Sequence, residues 1–309
     1  MATASPAISV RGLSKHYGKT RAVDDVSFDV QRGSVFAFVG TNGAGKSTTI
    51  ACLTTLLPID AGEVTVLGHD ARDDGDAVRA GIGVVFQESI LDPLLTVREN
   101  LRLRAAFYGT SPQAAAARIA ELSDLIGLGD VIGRRYGKIS GGQRRRVDIA
   151  RALLASPEII FLDEPTAGLD PAGRSQVWST IKQLRERQGL TVFLTTHYME
   201  ETEEADWVCL IDHGRLVAQG TPAQLRAEHS RSVLSVTSRN PAALVTVQEG
   251  AGVMVDGNGH ALIPVDDAAT ALRILKHLGD DVTDFEFRHG TMDDVFLALT
   301  GGTGAEAAA

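Results

Sequence analysis

The octapeptide Gly40-Thr41-Asn42-Gly43-Ala44-Gly45-Lys46-Ser47 constrains this chain more than any other feature. It follows the apolar run Val35–Val39 directly and precedes a helix-forming stretch. Backbone N–H groups converge on an anion only where no Cβ intervenes, and glycines at 40, 43 and 45 meet that need. A helix beginning here aims its positive end, about half an elementary charge, at the same point. Lys46 can then reach β- and γ-phosphates, and the Ser47 hydroxyl can ligate Mg²⁺, a hard cation that prefers oxygen. Thr41, Asn42, Ala44 and Thr48 complete the loop and the first helical turn. Such a loop demands a buried parallel strand before it and a helix after it.

The surrounding pattern agrees with that demand. Segments 7–10, 26–30, 63–67, 83–86, 159–162, 192–195 and 208–212 read as further strands. Helices are expected over 45–57, stopped by Pro58, over about 143–154 and 171–188, and starting at 199–205. The stretch 96–126 is rich in Ala, Leu and Arg with helical periodicity and reads as an all-helical insertion. Strands alternating with helices imply an α/β fold, a largely parallel sheet with helices on its faces. The texture changes after about residue 227. Short strands at 232–237, 253–256, 260–265 and 282–288, with helices at 268–277 and 292–299, suggest a small α+β domain. The expected division is therefore 5–227, including a helical subdomain over about 96–155, then 228–300, then a flexible tail over 301–309.

A length of 309 residues, 44% hydrophobic and 22% charged, accommodates one large and one small domain. The net charge of −9 argues against nucleic acid as a partner and against polybasic anchoring to anionic lipid. Cys52 and Cys209 lie in apolar runs and read as small core hydrophobes. Residues 1–6 lack the basic start and apolar stretch of a signal peptide. No run approaches the roughly 18–20 apolar residues of a membrane-spanning helix. The expectation is a cytoplasmic chain that does not itself span a membrane.

Two further elements extend the phosphate chemistry. The apolar run 159–162 ends in Asp163-Glu164, and ligands gather at the carboxyl ends of parallel strands. Asp163 is placed to hold Mg²⁺ through water, and Glu164 to orient and polarise the water that attacks the γ-phosphate. Ser140-Gly141-Gly142-Gln143 opens a second helix with free N–H groups, a second anion site. One nucleotide does not need two such sites from one chain. Two chains placed head to tail would use both.

With these motifs in order, the chain resembles the ABC ATPases from about residue 8 to 225. Ile139-Ser140-Gly141-Gly142-Gln143 looks like their signature motif, with Ile where Leu is usual. The resemblance implies a P-loop ABC ATPase domain, with ATP and Mg²⁺ as cofactors and a homodimer in the ATP-bound state. It implies roles for Tyr17 stacking on adenine, Gln87 sensing Mg²⁺ and the attacking water, and His197 contacting the γ-phosphate. Asp170 resembles the family's dimer-crossing aspartate, and it also reads as an N-cap for the helix beginning at Pro171. Thr41 stands where the family often has Pro. Arg144-Arg145-Arg146 reads simply as charged positions at a helix start. The helical insertion and residues 88–95 are the expected surface for a membrane partner.

Three stretches carry a closer resemblance, to the ATP-binding subunits of daunorubicin-resistance-type (ABC-2) drug exporters. These are Gly43 to Thr49, Thr166 to Pro171 and Leu210 to Arg215, joined by Met292-Asp293-Asp294-Val295-Phe296-Leu297-Ala298-Leu299-Thr300-Gly301. The implied function is ATP hydrolysis driving drug efflux through a separate membrane-spanning permease, at the cytoplasmic face of the cell membrane. Export of a lipid or polysaccharide is the alternative within transport. A soluble ABC ATPase acting on ribosomes or DNA fits less well with one ATPase domain and no sustained heptads. The helix at 292–299 either closes its own small domain or docks onto an ATPase domain.

Overall fold

In the computed structural model, which describes residues 5–240, 244, 254–255 and 259–301, the chain divides into two compact units at Thr221/Pro222. The helix Pro222–His229 belongs to the second unit, so the division falls before the change of texture at 227. The first unit opens with β1 (Ile8–Tyr17) and β2 (Thr20–Val30), a hairpin whose strands run longer than their apolar cores suggest. With β4 (Ala61–Val66) and β5 (His69–Asp70) they form an antiparallel sheet in the order β2-β1-β4-β5. The second sheet holds β3 (Val35–Val39), β6 (Ile82–Val85), β7 (Ile159–Asp163), β8 (Thr191–Thr196), β9 (Trp207–Asp212) and β10 (Arg215–Gly220). Its order is β10-β9-β3-β8-β7-β6, parallel except for the terminal pair β9 and β10.

This topology positions the site. β3, β7 and most of β8 and β9 are continuous apolar runs, buried on both faces as a parallel sheet requires. Phe28, Phe36, Phe38, Phe161 and Phe193 stack beneath them, with neighbouring ring centroids 5.2 to 6.0 Å apart. Cys52 and Cys209 belong to the same core, and burial pushes the Cys52 thiol up to about 11.

Helix α1 (Lys46–Leu53) ends earlier than the sequence suggests. The Thr54 hydroxyl donates to the Ile50 carbonyl at 2.8 Å, and Thr55 turns to φ 62°, so the helix stops before Pro58. A short helix α2 (Gly75–Gly81) and strand β10 had no signal strong enough to read. The expected insertion consists of α3 (Val97–Phe107) and α4 (Pro112–Ile126), packed with α5 (Gly141–Ala152). Side chains cap each of these at its N-terminus: Thr96, Ser111 and Ser140. Helix α6 (Pro171–Gln188) starts at the cap Asp170, with Pro171 in the first turn, and covers its expected span. After β8, residues Met199–Glu204 form a 3₁₀ turn rather than an α-helix.

The second unit has its own core. β11 (Ser232–Ser238), β12 (Met254–Val255), β13 (His260–Val265) and β14 (Val282–Arg288) form an antiparallel sheet in the order β12-β13-β11-β14. Leu234, Val236, Ala261, Ile263 and Val265 pack against Ala271 and Leu278 of α8 (Ala268–Leu278). Helix α7 (Pro222–His229) packs on α9 (Met292–Thr300). The expected strand at 253–256 lies partly outside the described residues, and so does the tail beyond 301.

Candidate functional site

Four neighbouring strands of the parallel sheet end at one place. β3 leads into Gly40, β8 into His197, β7 into Asp163-Glu164, and β6 into Phe86-Gln87. The register pairs Val39 with Thr196 and Asp163 with Thr195, so these carboxyl ends lie level. A cavity of about 590 Å³ opens there, lined by Ala22, Asn42, Gly43, Gly45, Lys46, Ser47, Thr48, Gln87, Glu164, Ala167, Gly168, His197 and Tyr198.

The loop requires its glycines. A Cβ on Gly40 would sit 2.3 Å from the Ile211 carbonyl oxygen, and one on Gly45, at φ 110°, 2.3 Å from that of Ala22. Unlike α3 to α6, α1 has no side-chain cap, because Gly45 precedes it. Its first-turn N–H groups are therefore left for an external anion. Lys46 is buried, and its Nζ donates to the carbonyls of Gly40 (2.8 Å) and Thr41 (3.1 Å). The same Nζ lies 3.3 Å from Glu164 Oε1. Ser47 Oγ donates to Asp163 Oδ1 at 3.2 Å.

The carboxylates are held from below by Thr195. Its hydroxyl donates to Asp163 Oδ1 at 2.6 Å and accepts from the Glu164 N–H at 3.0 Å. Glu164 stands at φ 47°, a left-handed conformation that costs a non-glycine residue of order 1 kcal/mol. The turn throws its side chain into the cavity, where Oε2 meets Gln87 Nε2 (3.4 Å) and His197 Nδ1 (3.3 Å). The His197 ring packs on Tyr198 at 4.0 Å between centroids, and Arg174 of α6 lies 4.2 Å from the Tyr198 ring centroid.

Gln87, Glu164, His197, Lys46 and Ser47 are thus brought together. Tyr17, Ser140, Gly141, Gly142, Gln143 and Asp170 are not among the residues lining this cavity. Tyr17 stands half exposed near the tip of the β1–β2 hairpin. Ser140 and Gln143 form a capping box on α5: the Gln143 N–H donates to Ser140 Oγ, and the Ser140 N–H to Gln143 Oε1. Asp170 accepts from the Gly173 N–H at 2.7 Å and caps α6. The first turns of α5 and α6 touch, since a Cβ on Gly142 would lie 3.1 Å from Gly173 Cα. Two capped helix ends therefore stand side by side, and neither cap lines the cavity.

Three contributors escaped the sequence reading. Thr195 sits in an apolar strand, and only its register against Asp163 reveals its hydroxyl contacts. Tyr198 follows a residue already noticed. Arg145 is the largest miss: it is a buried brace, whereas Arg144 faces solvent. Its guanidinium donates to the carbonyls of Phe86 (2.6 Å) and Gln87 (3.0 Å) and, at 3.5 Å, of Glu164. Burial lowers its pKa, while Asp148, Tyr136 and Asp163 oppose that shift.

A cavity of about 630 Å³ elsewhere in the first unit is lined by Arg11, Phe28, Asp29, Asp206 and Trp207, among others. Its charges are already paired, Arg11 with Asp29 and Asp206 with Arg185, and it has no glycine cradle. Chemistry therefore assigns function to the smaller one.

Comparison with known proteins gives the family. Residues 23–167 match the family model "ABC transporter", and 220–300 match "ATP-binding protein DrrA1-3-like, C-terminal domain". The daunorubicin/doxorubicin resistance ATP-binding protein DrrA of Streptomyces peucetius is 42% identical over 306 residues, covering 96% of this chain and 92% of that protein. This chain belongs to the ABC transporter family of ATP-binding proteins. The doxorubicin resistance ATP-binding protein DrrA of Mycobacterium tuberculosis is 36% identical, covering 95% of this chain and 93% of that protein. The Nod factor export ATP-binding protein I of Burkholderia orbicola is also 36% identical, with 95% and 97% covered. Among solved structures, cbiO1 of Clostridium perfringens, part of the cbiONQ ABC transporter complex, superposes with a TM-score of 0.68 at 28% identity. That match covers 72% of this chain and 92% of cbiO1. A dimeric ATP-binding cassette bound to ADP and Pi after hydrolysis gives 0.62 at 29% identity, covering 69% of this chain and 98% of that one.

Proposed function

We propose that this chain is the ATP-hydrolysing motor of an exporter, that two copies close head to tail on two ATP molecules, and that closure drives a separate membrane-spanning permease. One observation carries the reading. Gln87, Glu164 and His197 converge on the glycine loop and the uncapped end of α1, while the α5 end, where Ser140 and Gln143 cap one another, does not line that cavity.

Within that reading the α1 N-terminus and Lys46 bind the β- and γ-phosphates, and Tyr17 stacks on adenine. Ser47 and Asp163 offer hard oxygen donors close together, which suits Mg²⁺; Gln87 would supply another. Among the described residues no group of three or more His, Cys, Asp or Glu forms a metal cage, and Mg²⁺ on a nucleotide does not need one. When bound, Mg²⁺ would neutralise charge on the phosphate oxygens. Glu164 takes a proton from the attacking water, Gln87 orients that water, and His197 donates toward the γ-phosphate. Ser140, Gly141, Gly142 and Gln143 close over the partner copy's γ-phosphate, and Asp170 crosses the dimer interface.

The permease surface is supported by exposed apolar side chains on α3, the loop before it and the residue that ends it: Ile90, Leu94, Leu103, Phe107 and Tyr108. Among the described residues no helix is long and apolar enough to cross a membrane. The chain then sits at the cytoplasmic membrane face through its permease. The resistance proteins it resembles favour a drug as cargo. The Nod factor relatives keep a lipid or polysaccharide cargo as the alternative.

The test is Glu164→Gln. The variant is expected to form a stable dimer with ATP while turnover falls at least about a hundredfold, as loss of a general base implies. Undiminished ATPase activity would remove Glu164 from its assigned role.

A further inference from the structure

Helix α5 carries Ser140 at its N-terminus and, one and two turns later, two buried charges of opposite sign. Arg145 donates to the carbonyls of Phe86 and Gln87. Asp148 accepts from Ser89 Oγ at 2.6 Å through Oδ1 and from the Tyr136 hydroxyl at 3.0 Å through Oδ2. Ser89 Oγ also accepts from the Leu91 N–H at 3.2 Å, so its hydroxyl holds the loop it belongs to as well as the helix. The segment 86–91 is therefore fastened to α5 on both sides of Gln87.

From this geometry we infer that Asp148 is a positioning residue for Gln87, acting through Ser89. The helix whose N-terminus meets the partner's nucleotide is the same helix that fixes Gln87 in its own site. A shift of α5 on closure pulls residues 86–91 with it, because Asp148 and Arg145 leave that segment no independent position. Each site's water-orienting glutamine is thereby set by whether the opposite site is closed. Tyr136 occupies the second carboxylate oxygen of Asp148 and so fixes its rotamer. The inference rests on the dimer reading above. It adds a residue outside the nucleotide motifs.

Ser89 is the residue to change, because its exposure spares the core while its hydroxyl makes the bond in question. In the full-length Glu164→Gln chain, ATP should form the dimer and slow amide hydrogen exchange across residues 86–91. Adding Ser89→Ala should leave the dimer intact and abolish that slowing, and adding Ser89→Thr should restore it. With Glu164 unchanged, Ser89→Ala should lower kcat about tenfold at nearly constant KM, the loss of one charge-assisted hydrogen bond. It should also reduce cooperativity in ATP, since Gln87 no longer follows the opposite site. Asp148→Ala combined with Ser89→Ala should be no worse than Asp148→Ala alone. An ATP dimer whose Ser89→Ala form keeps full exchange protection and unchanged kcat would overturn the latch alone. A Glu164→Gln chain that never dimerises with ATP would overturn the dimer reading, and the latch with it.

Discussion

A single hydroxyl, that of Thr195, supports both carboxylates of the site: it donates to Asp163 and accepts from the backbone of Glu164. Thr195→Val keeps the shape and removes both bonds, leaving Asp163 Oδ1 with Ser47 Oγ alone and the Glu164 N–H with only the Thr195 carbonyl, each at 3.2 Å. It should destabilise the fold by about 1–3 kcal/mol and lower ATPase activity roughly tenfold, measured by thermal unfolding and steady-state kinetics. Gly45→Ala should act differently, since its methyl would strike the Ala22 carbonyl. Nucleotide-dependent thermal stabilisation should be lost, as equilibrium dialysis with labelled ATP would check. The two residues differ in how far they can be read from a sequence. Gly45 belongs to a fixed motif whose spacing states its role. Thr195 and Arg145 act through register and burial, which join residues far apart in the chain, so neither carries a local signal.

At the scale of elements, strand and helix identity followed the apolar periodicity closely: Val35–Val39, Pro171–Gln188, His260–Val265 and Val282–Arg288 have their expected bounds. The misses were short or governed by side-chain to backbone bonds, as at Thr54, where the hydroxyl closes α1 early. The cap Asp170 was legible because a short acidic side chain before a helix-starting proline does local work, whereas Ser140, expected to leave free N–H groups, forms a capping box with Gln143. Helix α9 tests this directly. Thr291 and Asp294 form a reciprocal capping box, and Arg288 clamps Asp294 at 2.8 Å. Thr291→Ala should cost the second unit about 1 kcal/mol, read from denaturant unfolding. Burial alone would raise the Asp294 carboxyl. Arg288, with the N–H and hydroxyl of Thr291, nevertheless holds it below the usual carboxylate range. A lowered folded value means that its stabilisation is complete above the unfolded value of about 3.9 and lost as pH falls below it. Asp294→Asn should therefore lose stability less steeply than the parent below about pH 4, in acid titrations followed by circular dichroism.

For the molecule as a whole, the exposed apolar group on the helical insertion is where a partner of the first unit should declare itself. Leu94→Asp with Phe107→Asp should leave ATP binding intact and abolish co-purification with the membrane fraction, because both side chains face solvent and serve no core. Retention in the membrane fraction would move the docking surface elsewhere. The identity of the cargo was never legible, since no residue of this chain touches it under the proposed reading.

The order of strands in the parallel sheet has a metric consequence. Strands β3, β8, β7 and β6 lie side by side, and adjacent strands are spaced by about 4.8 Å, so the outer two stand roughly 14 Å apart. Side chains close that width. Lys46, which follows the loop after β3, stands 3.3 Å from Glu164 at the end of β7, and Gln87 reaches the same carboxylate at 3.4 Å from beyond β6. One carboxylate therefore answers to both rims of the row, and a disturbance at either rim is felt at the same pair of oxygens.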